Sequence, residues 1–447
     1  MRPGTGILRC LQRFCCEFFS KPLTAFLRNF GMLMRIQRVL QNMLAWLYSP
    51  HITSWLGEPV FWLLGMRSKG TEITHAQIQR ILLVQLDEIG DVVMTTPLFR
   101  AVRQNFPDAW ITLVVKPAVV NLVERCPYLN EILAYRPMGP GGRCWRTRRH
   151  VNTMLFAAIY LWRRRFDLVL LPRWDVDYTY ATFLAYLSGA PWRVGYSEYV
   201  LPKKQSVNAG YDLLLTHVIT TTGNVKHEVE RNLDVLRFLH GKIQDDALEL
   251  WVGEDDEGMA ENTFAQHGIG SDALIVGLGP SSGTLALKQW PLERFVEIGR
   301  WLQITYDATL LVIGDQGDIP LGRTLARELE GNVINMAGKT SLRQTAALLR
   351  RCSLFVGNDT GPMHIAAALK IPVIALFGPS CAHRFSPWGA GHQIISVDLP
   401  CKPCHQDGHL NRCRQCRFDQ PYCMTNITVD DVKATVREML AGLHVRE

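Results

Sequence analysis

The stretch SLFVGNDTGPMHIAAALKIPVIALFGPS, residues 353–380, contains two apolar runs separated by a turn and a helix. The first run ends at Asp359. Thr360 and Gly361 then form a tight turn, and Pro362 fits the first position of a helix of small residues. The second run, PVIALFG, begins soon after that helix. Short runs rich in branched residues are typical of buried parallel strands, so the stretch predicts a strand–helix–strand unit.

The same alternation recurs on both sides of this unit. Neighbouring runs of the same kind are ALIVGLG (273–279), ATLLVIG (308–314), NVINMAG (332–338) and QIISV (393–397). An earlier series contains RILLVQL (80–86), WITLVV (110–115) and FDLVLL (166–171). Two series of strands alternating with helices predict an α/β protein with two doubly wound, Rossmann-like domains facing each other across a cleft.

An acidic stretch at 245–257 separates the two series. We therefore predict an N-terminal domain at 80–245 and a C-terminal domain at 246–447, preceded by a helical extension at 1–79. Residues 1–80 contain ten Lys and Arg and three Glu, so they carry the whole formal charge of +7. The rest of the chain is formally neutral, and we expect no nucleic-acid partner.

The extension interleaves its basic residues with Phe and Trp along its whole length. Its apolar runs are too short to span a bilayer, and no compact signal-peptide pattern is present. An amphipathic segment lying on an anionic membrane surface is one interpretation. The alternative is a set of ordinary helices that pack on the main body.

Two segments of the C-terminal half predict phosphate binding. At 358–380, free N–H groups at the helix start suit a diphosphate, and His364 can add a donor. The alternative is a capped packing helix, with Asp359 as the cap and His364 as a core residue. At 277–291, GLGPSSGTLALKQWP offers the hydroxyls of Ser281 and Ser282 and the cation of Lys288. The glycine spacing there differs from a dinucleotide fingerprint, which argues against a dehydrogenase.

The segment ILLVQLDEIGDVVMTTP, residues 81–97, predicts a general base. Gly90 and Asp91 close a loop after the first strand of the N-terminal domain, so the Asp91 carboxylate should face the cleft and accept a proton from an attacking hydroxyl. A helix N-terminus at this point would lower the pKa of Asp91. The alternative is a simple helix cap.

These motifs, in order, resemble glycosyltransferase family nine, the ADP-heptose:lipopolysaccharide heptosyltransferases. The resemblance is carried by GDVVMTTPLFRAVRQNFPDAWITLVV, HEVERNLDVL, LKQWPLERF, NVINMAGKTSL and NDTGPMHIAAALKIPVIALFGPS. It runs from about residue 80 to 440 and implies a GT-B fold, inversion at the anomeric carbon and no required metal ion. On this basis we expect an inverting transferase that delivers heptose from ADP-heptose to a lipopolysaccharide core or related glycolipid. The alternatives are another nucleotide-sugar donor, or a non-catalytic GT-B nucleotide-binding scaffold.

The resemblance also implies roles for individual residues. Asp91 corresponds to the general base. The positions that correspond to the family's donor site are Lys288, Asp359, Thr360, Gly361, His364 and, near the nucleobase, Met336. Gln85, Asp87 and Glu88 depart from the family's pattern, which makes the loop before Asp91 more acidic and would raise the pKa of the base or alter acceptor choice.

The acceptor side is predicted from clustered arginines. A phosphorylated or acidic glycolipid would be bound by guanidinium groups, for which the candidates are Arg143, Arg146, Arg163, Arg164 and Arg193. A solvated surface is the alternative. Together with the N-terminal extension, these expectations place the enzyme in the cytoplasm, peripheral on the cytoplasmic face of the inner membrane.

Twelve cysteines are present, and five of them crowd into the segment 401–423. Scattered thiols elsewhere fit a reducing cytoplasm. The paired CxxC units at Cys401, Cys404, Cys413 and Cys416 predict a structural zinc site, with Cys423 as an alternative ligand and no part in transfer. A site without metal remains open. Asp175 and Asp177 form a DxD pattern, for which a metal role is disfavoured because it lies in the half that does not bind the donor.

Overall fold

The computed structural model describes residues 49–66, 78–137, 145–220, 225–283, 285–404 and 416–444. They form two six-stranded sheets in which every strand pair is parallel. The strands of the first sheet are β1 (Arg80–Gln85), β2 (Trp110–Val115), β3 (Glu131–Ala134), β4 (Leu168–Leu171), β5 (Trp192–Tyr196) and β6 (His217–Ile219). Those of the second are β7 (Ile275–Gly279), β8 (Thr309–Val312), β9 (Val333–Asn335), β10 (Leu354–Asn358), β11 (Val373–Phe377) and β12 (Gln393–Ser396).

Both sheets have the same doubly wound order, β3-β2-β1-β4-β5-β6 and β9-β8-β7-β10-β11-β12. The predicted fold of two Rossmann-like domains is confirmed. In such sheets the chain reverses direction between the first and fourth strands, and ligands bind beyond the carboxyl ends of the strands at that point. The two reversal points lie beside β1 and β7. These two strands are followed by the segments predicted to carry Asp91 and Lys288.

The α-helices that cover the first sheet are α1 (Pro50–Leu63), α2 (Ile89–Met94), α3 (Thr96–Asn105), α4 (Val120–Val123), α5 (Trp145–Phe156), α6 (Ala181–Leu187), α7 (Pro202–Val207) and α8 (Glu228–Arg237). Those of the second half are α9 (Glu254–Gln266), α10 (Leu292–Tyr306), α11 (Ile319–Glu328), α12 (Leu342–Arg350), α13 (Gly361–Ala368), α14 (Ala382–Phe385), α15 (Tyr422–Thr425) and α16 (Val429–His444). No described helix has the length and apolarity needed to cross a bilayer.

The core lies on both faces of each sheet. All five residues of β10 and all five of β11 are buried, as expected for central strands covered by helices on both sides. Each fully buried Leu, Ile, Val or Phe contributes about 1.5–3 kcal/mol to the free energy of folding. This burial makes the carboxyl edges of the sheets rigid supports for the loops that follow them.

Part of the predicted N-terminal extension packs on the first domain. In α1, Phe61 is buried and lies edge-on to Tyr186, whose hydroxyl donates to the Ser54 carbonyl at 3.0 Å. A side chain at Gly57 would collide with Tyr186, because a Cβ there would lie 2.5 Å from its hydroxyl oxygen. The opposite face of α1 is open to solvent. Residues 1–48, with most of the basic charge, lie outside the described residues.

The two domains meet through the first turns of α2 and α13. A Cβ at Gly90 would lie 2.6 Å from Cδ2 of His364, and one at Gly361 would lie 3.0 Å from Cγ2 of Ile89. The two glycines therefore permit an approach that a side chain at either position would obstruct. This contact brings the loop after β1 against the loop after β10.

Candidate active site

Asp91 is held at the cleft by hydrogen bonds within its own helix. It is the third residue of α2, and the Glu88 backbone N–H donates to its Oδ2 at 3.2 Å. The Thr95 hydroxyl donates to the Asp91 carbonyl at 2.7 Å and accepts from Gln85 Nε2 at 2.8 Å. Gln85, which departs from the family's pattern, thus supports the helix from the end of β1. The residue as a whole is only partly buried.

The surroundings of Asp91 suit proton acceptance near neutral pH. Burial in the cleft and the nearby Glu228 carboxylate raise the pKa of Asp91 to about 7. Glu88 contributes to the same shift through its charge, whereas its backbone N–H and the Arg384 guanidinium oppose it. The backbone N–H at the start of the helix does lower this pKa, as expected, but burial and the carboxylates of Glu228 and Glu88 outweigh it. A base is most effective when its pKa lies near the working pH.

The acidic loop before Asp91 is largely neutralised. Asp87 is paired with Arg173, which follows β4, and Glu88 accepts from Lys116 Nζ at 2.5 Å. The loop's influence on Asp91 therefore comes from Glu88, which lies on the same helix. The sequence predicted that acidic residues before Asp91 would raise its pKa, and the charge of Glu88 has this effect.

Across the cleft, Asp359 is the centre of a buried polar cluster. Its Oδ2 accepts from Lys288 Nζ at 2.6 Å and from the Ser380 hydroxyl at 2.5 Å, while His364 Nε2 lies 4.0 Å from Oδ1. Burial alone would raise the pKa of Asp359, but the charge of Lys288 and the hydrogen bonds from Lys288 and Ser380 outweigh it and hold this pKa below its usual value. The cluster brings together the side chains predicted from two separate segments.

His364 is buried and uncharged at neutral pH. Burial lowers the pKa of His364 to about 4. Its Nδ1 has no hydrogen-bond partner among the described residues, and the ring lies against Gly90 at the contact between the domains. A neutral imidazole with a spare ring nitrogen can exchange a hydrogen bond with a ligand without adding charge.

The remaining predicted donor residues surround this cluster at the carboxyl edge of the second sheet. Thr360 precedes α13, and no described side chain caps the first turn of that helix. Asn358 Nδ2 donates at 3.0 Å to the carbonyls of Pro280 and Ser281, which fixes the Ser281–Ser282 loop beside β10. Met336 follows β9, two strands away from β7. The structure therefore gathers all the predicted donor residues along one sheet edge.

The predicted acceptor arginines are not gathered in the same way. Arg164 is paired with Glu131 at the start of β3, and Arg163 is exposed beside it. The Arg193 side chain is buried, and its Nε donates to the Leu214 carbonyl at 2.8 Å. These three lie at the amino edge of the first sheet, opposite Asp91, so their placement does not support acceptor contact. Arg143 lies outside the described residues, as does the side chain of Arg146, which belongs to α5.

A cationic pocket at the carboxyl edge was missed by the sequence analysis. It has a volume of about 360 Å³ and is lined by Lys116, Arg136, Tyr178 and Thr179 together with Pro117, Ala118 and Pro137. Its walls follow β2, β3 and β4, next to the β1 loop that carries Asp91. Lys116 comes directly after β2 and Arg136 lies two residues after β3, so the signal in the sequence is a single basic residue close to each strand end.

The remaining metal candidates are only partly described. Asp177 caps α6, because its carboxylate accepts from the N–H groups of Thr179 and Thr182, both at 2.9 Å. These bonds leave the DxD pattern without a free carboxylate at Asp177. Cys413 lies outside the described residues. Cys401, Cys404, Cys416 and the buried Cys423 form no disulfide bond, and no three His, Cys, Asp or Glu side chains of the described part are arranged to hold a metal ion.

Glu228 and Arg384 are the other charged groups near Asp91 that sequence reasoning missed. Glu228 begins α8, where acidic residues are common for helix-capping reasons alone. Arg384 lies in the short helix α14, outside every predicted motif. Nothing local in either segment indicates a neighbour more than 100 residues away.

The architecture and the cleft define a class before any comparison. Two doubly wound domains that face each other across a cleft, with Asp91 on one side and the Lys288–Asp359 pair on the other, have the GT-B arrangement. A solved glycosyl transferase family 9 structure from Veillonella parvula superposes with a TM-score of 0.67 at 21% identity, covering 84% of this chain and all of the other. The structure of E. coli ADP-heptose LPS heptosyltransferase II gives a TM-score of 0.61 at 21% identity, over 82% of this chain and all of that one.

The sequence comparison identifies the family. Residues 161–414, more than half of the chain, match the model of glycosyltransferase family 9 (heptosyltransferase). Lipopolysaccharide heptosyltransferase 3 of E. coli K12 is 27% identical over 303 residues, which cover 67% of this chain and 82% of the relative. The chain belongs to glycosyltransferase family 9 and is a glycosyltransferase enzyme.

Proposed function

We propose that this enzyme transfers heptose from ADP-heptose to the core of lipopolysaccharide, with Asp91 as the general base. The observation that carries the proposal is the position of Asp91, which the contact between α2 and α13 holds opposite the Lys288–Asp359 cluster. The names of the relatives, which are heptosyltransferases of lipopolysaccharide, support the choice of sugar and acceptor.

The proposed reaction needs one proton transfer and one displacement. An acceptor hydroxyl loses its proton to the Asp91 carboxylate, and its oxygen forms a bond to the anomeric carbon of the donor. The bond from that carbon to the diphosphate oxygen breaks, so that ADP leaves and the configuration inverts. Lys288 and the uncapped N–H groups of α13 stabilise the negative charge that develops on the diphosphate. No metal ion is required in this scheme.

The donor is tested by thermal denaturation in the presence of nucleotides. We expect ADP and ADP-heptose to raise the melting temperature more than UDP or GDP do, because bound ligand stabilises only the folded state. Lys288→Met should weaken the ADP effect, since the diphosphate loses its cation, whereas the exposed surface variant Lys370→Met should leave it unchanged. A larger shift with UDP or GDP would redirect the choice of donor to another nucleotide sugar.

The base is tested with Asp91→Asn. We expect the variant to fold and bind ADP but to lose transfer by about a hundredfold or more, because the asparagine amide accepts no proton. Since only ionised Asp91 accepts a proton, wild-type kcat/KM should rise with pH and level off above about 7. Near-full activity of the folded variant would remove Asp91 from the mechanism. Stabilisation of the wild-type chain by ADP without any transfer would favour a non-catalytic nucleotide-binding scaffold instead.

We also propose that the cationic pocket binds a phosphate or carboxylate of the acceptor. Its support is the placement of Lys116 and Arg136 at the same sheet edge as Asp91. Charge-assisted hydrogen bonds of this kind are about twice as strong as neutral ones.

The acceptor proposal predicts a selective loss of affinity. Arg136→Met should raise KM for a phosphorylated lipopolysaccharide acceptor about tenfold or more and leave the KM for donor unchanged. Arg163→Met is the matched control, because Arg163 lies at the opposite edge of the sheet and should have no effect. Equal losses in both variants would point to a diffuse attraction of the acceptor to positive charge rather than to a bound group in the pocket.

We further propose that the N-terminal domain contacts the inner-membrane surface through the open face of α1. Trp55 is 73% exposed and Trp62 76%, and Leu56, Val60 and Leu63 lie exposed beside them. The helix α5 and the turn after it pack on the same core as Phe61 of α1, and they expose Met154, Ile159 and Tyr160. Trp and Tyr favour the interface between lipid headgroups and acyl chains, and the basic residues 1–48 would add attraction to anionic lipid.

The membrane proposal is tested by sedimentation with vesicles of phosphatidylglycerol and phosphatidylethanolamine. Trp55→Ser with Trp62→Ser should reduce the bound fraction severalfold, because each indole contributes apolar area to the contact. Ile304→Ser is the control, since Ile304 is 85% exposed on α10 of the other domain. Unchanged binding of the double variant would assign any membrane contact to another part of the chain.

The zinc site remains a proposal, with the CxxC pairs Cys401–Cys404 and Cys413–Cys416 as its support. Four thiolates at this spacing suit tetrahedral zinc, which would stabilise the segment before α15 and take no part in transfer. The described part does not supply the ligand set, because the second pair is only half described. Elemental analysis of the purified chain should find zinc in the wild type and less zinc in Cys404→Ser. A wild-type chain without zinc would contradict the proposal.

A further inference from the structure

Arg384 links the two domains beside the proposed base. It belongs to α14 of the C-terminal domain, and its side chain is only 4% exposed. Its Nε and Nη2 both lie 2.8 Å from Glu228 Oε1 on α8 of the N-terminal domain. Nη2 also lies 3.4 Å from Asp175 Oδ2, in the loop after β4. The guanidinium therefore joins two elements of the opposite domain.

The position of Arg384 depends on the donor side of the cleft. Ser380, whose hydroxyl bonds Asp359, lies four residues before it on the segment that follows β11. On the other side, the Ser386 carbonyl lies 2.9 Å from His227 Nε2, and Trp388 packs on the His227 ring at 4.5 Å. The segment 380–388 thus runs from the donor cluster to the first turn of α8.

Glu228 lies opposite Asp91 for a geometric reason. Asn232 Nδ2 donates to the Thr95 hydroxyl and to the Met94 carbonyl, both at 3.1 Å, which fixes α8 against the end of α2. Asp91 lies four residues before Thr95, and Glu228 lies four residues before Asn232. Residues four apart share one helix face, and the first turns of both helices point to the cleft, so the two carboxylates face each other.

The charged groups around Asp91 come from every neighbouring element. Glu228 on α8, Glu88 before α2 and Arg384 on α14 act on Asp91 directly. The groups on the elements packed around them are Lys116 after β2, Asp87 with Arg173, Asp175 after β4, Arg231 on α8 and the neutral His364 on α13. Glu88 with Lys116 and Asp87 with Arg173 form neutral pairs. The inner group of Glu228, Asp175, Arg231 and Arg384 is also neutral, so an ionised Asp91 adds an unbalanced negative charge.

We propose that Glu228 and Arg384 form a positioning pair, assembled only when the two domains are together, that controls when Asp91 can accept the acceptor's proton. This inference rests on the proposed role of Asp91 as the base. Glu228 holds the Asp91 carboxyl in its protonated form, and Arg384 favours the ionised form. Because Arg384 is carried by the donor-binding domain, closure of that domain delivers the cation that prepares the base.

Two substitutions separate this role from a merely structural one. Glu228→Gln and Arg384→Gln break the same ion pair, so a structural role predicts the same loss in both and no change in pH dependence. The proposed role predicts opposite shifts. Glu228→Gln removes a negative charge and exposes Asp91 to Arg384, which moves the acid limb of kcat/KM to lower pH. Arg384→Gln leaves Glu228 unbalanced and moves that limb to higher pH.

The experiment measures kcat/KM against pH for the full chain with ADP-heptose and lipopolysaccharide acceptor. We expect shifts of about 0.5–1 pH unit in opposite directions for the two variants. In the double variant Glu228→Gln/Arg384→Gln the limb should return close to the wild-type position. Glu228→Asp and Arg384→Lys keep the charges and should restore most of the wild-type profile, while thermal denaturation verifies that each variant is folded.

Arg343→Gln is the matched control for a broken contact between the domains. Arg343 bonds Asp256 at 2.7 Å and also pairs with Glu124 of the N-terminal domain, but it is not among the groups that act on Asp91. It should leave the acid limb in place. Shifts in the same direction, or none, in the two variants would overturn the inference. If Asp91→Asn itself stays active, the base assignment fails, and that result is distinguishable from a failure of the pair alone.

Discussion

At the centre of the molecule the first turns of α2 and α13 pack together, with no side chain at Gly90 or Gly361 to hold them apart. One turn carries Asp91, and the other follows the Asp359 cluster with Lys288. The reaction proposed above needs its base and its leaving-group site within one substrate length of each other, and this contact brings the two turns together. The rigid sheets behind the two helices supply the support.

Around this contact the titratable groups are buried, and burial shifts their pKa values. Burial keeps His364 neutral and raises the pKa of Asp91, whereas Asp359 stays ionised because Lys288 lies beside it. The pKa values of two carboxylates in one cleft, Asp91 and Asp359, are therefore shifted in opposite directions. The first suits proton acceptance and the second suits charge pairing, and the difference comes from their neighbours alone.

The two domains are joined at further points outside this contact. Arg384 reaches Glu228, and Arg343 reaches Glu124 from α12, while Arg100 on α3 holds the connecting segment at Asp245 with a distance of 3.1 Å. Interfaces between domains of one chain are commonly polar and permit relative motion. In this molecule the contact of Arg384 with Glu228 lies beside Asp91, and Arg384 belongs to the segment that also carries Ser380 of the Asp359 cluster. Under the inference drawn above, a movement of this segment therefore acts on Asp91.

The sequence by itself predicted nine of the twelve described strands and the places of Asp91, the Ser281–Ser282 loop and the Thr360–Gly361 turn at strand ends, because apolar runs, glycines and strand ends are local patterns whose consequences are also local. It indicated opposing influences on the pKa of Asp91 but not which of them prevails, and it did not indicate the ion pair of Glu228 with Arg384 or the pocket at Lys116 and Arg136. It also grouped Arg164 and Arg193 with the acceptor, although both lie at the opposite edge of their sheet. Only the tertiary structure decides such questions, since electrostatic effects depend on distances between residues that are remote along the chain.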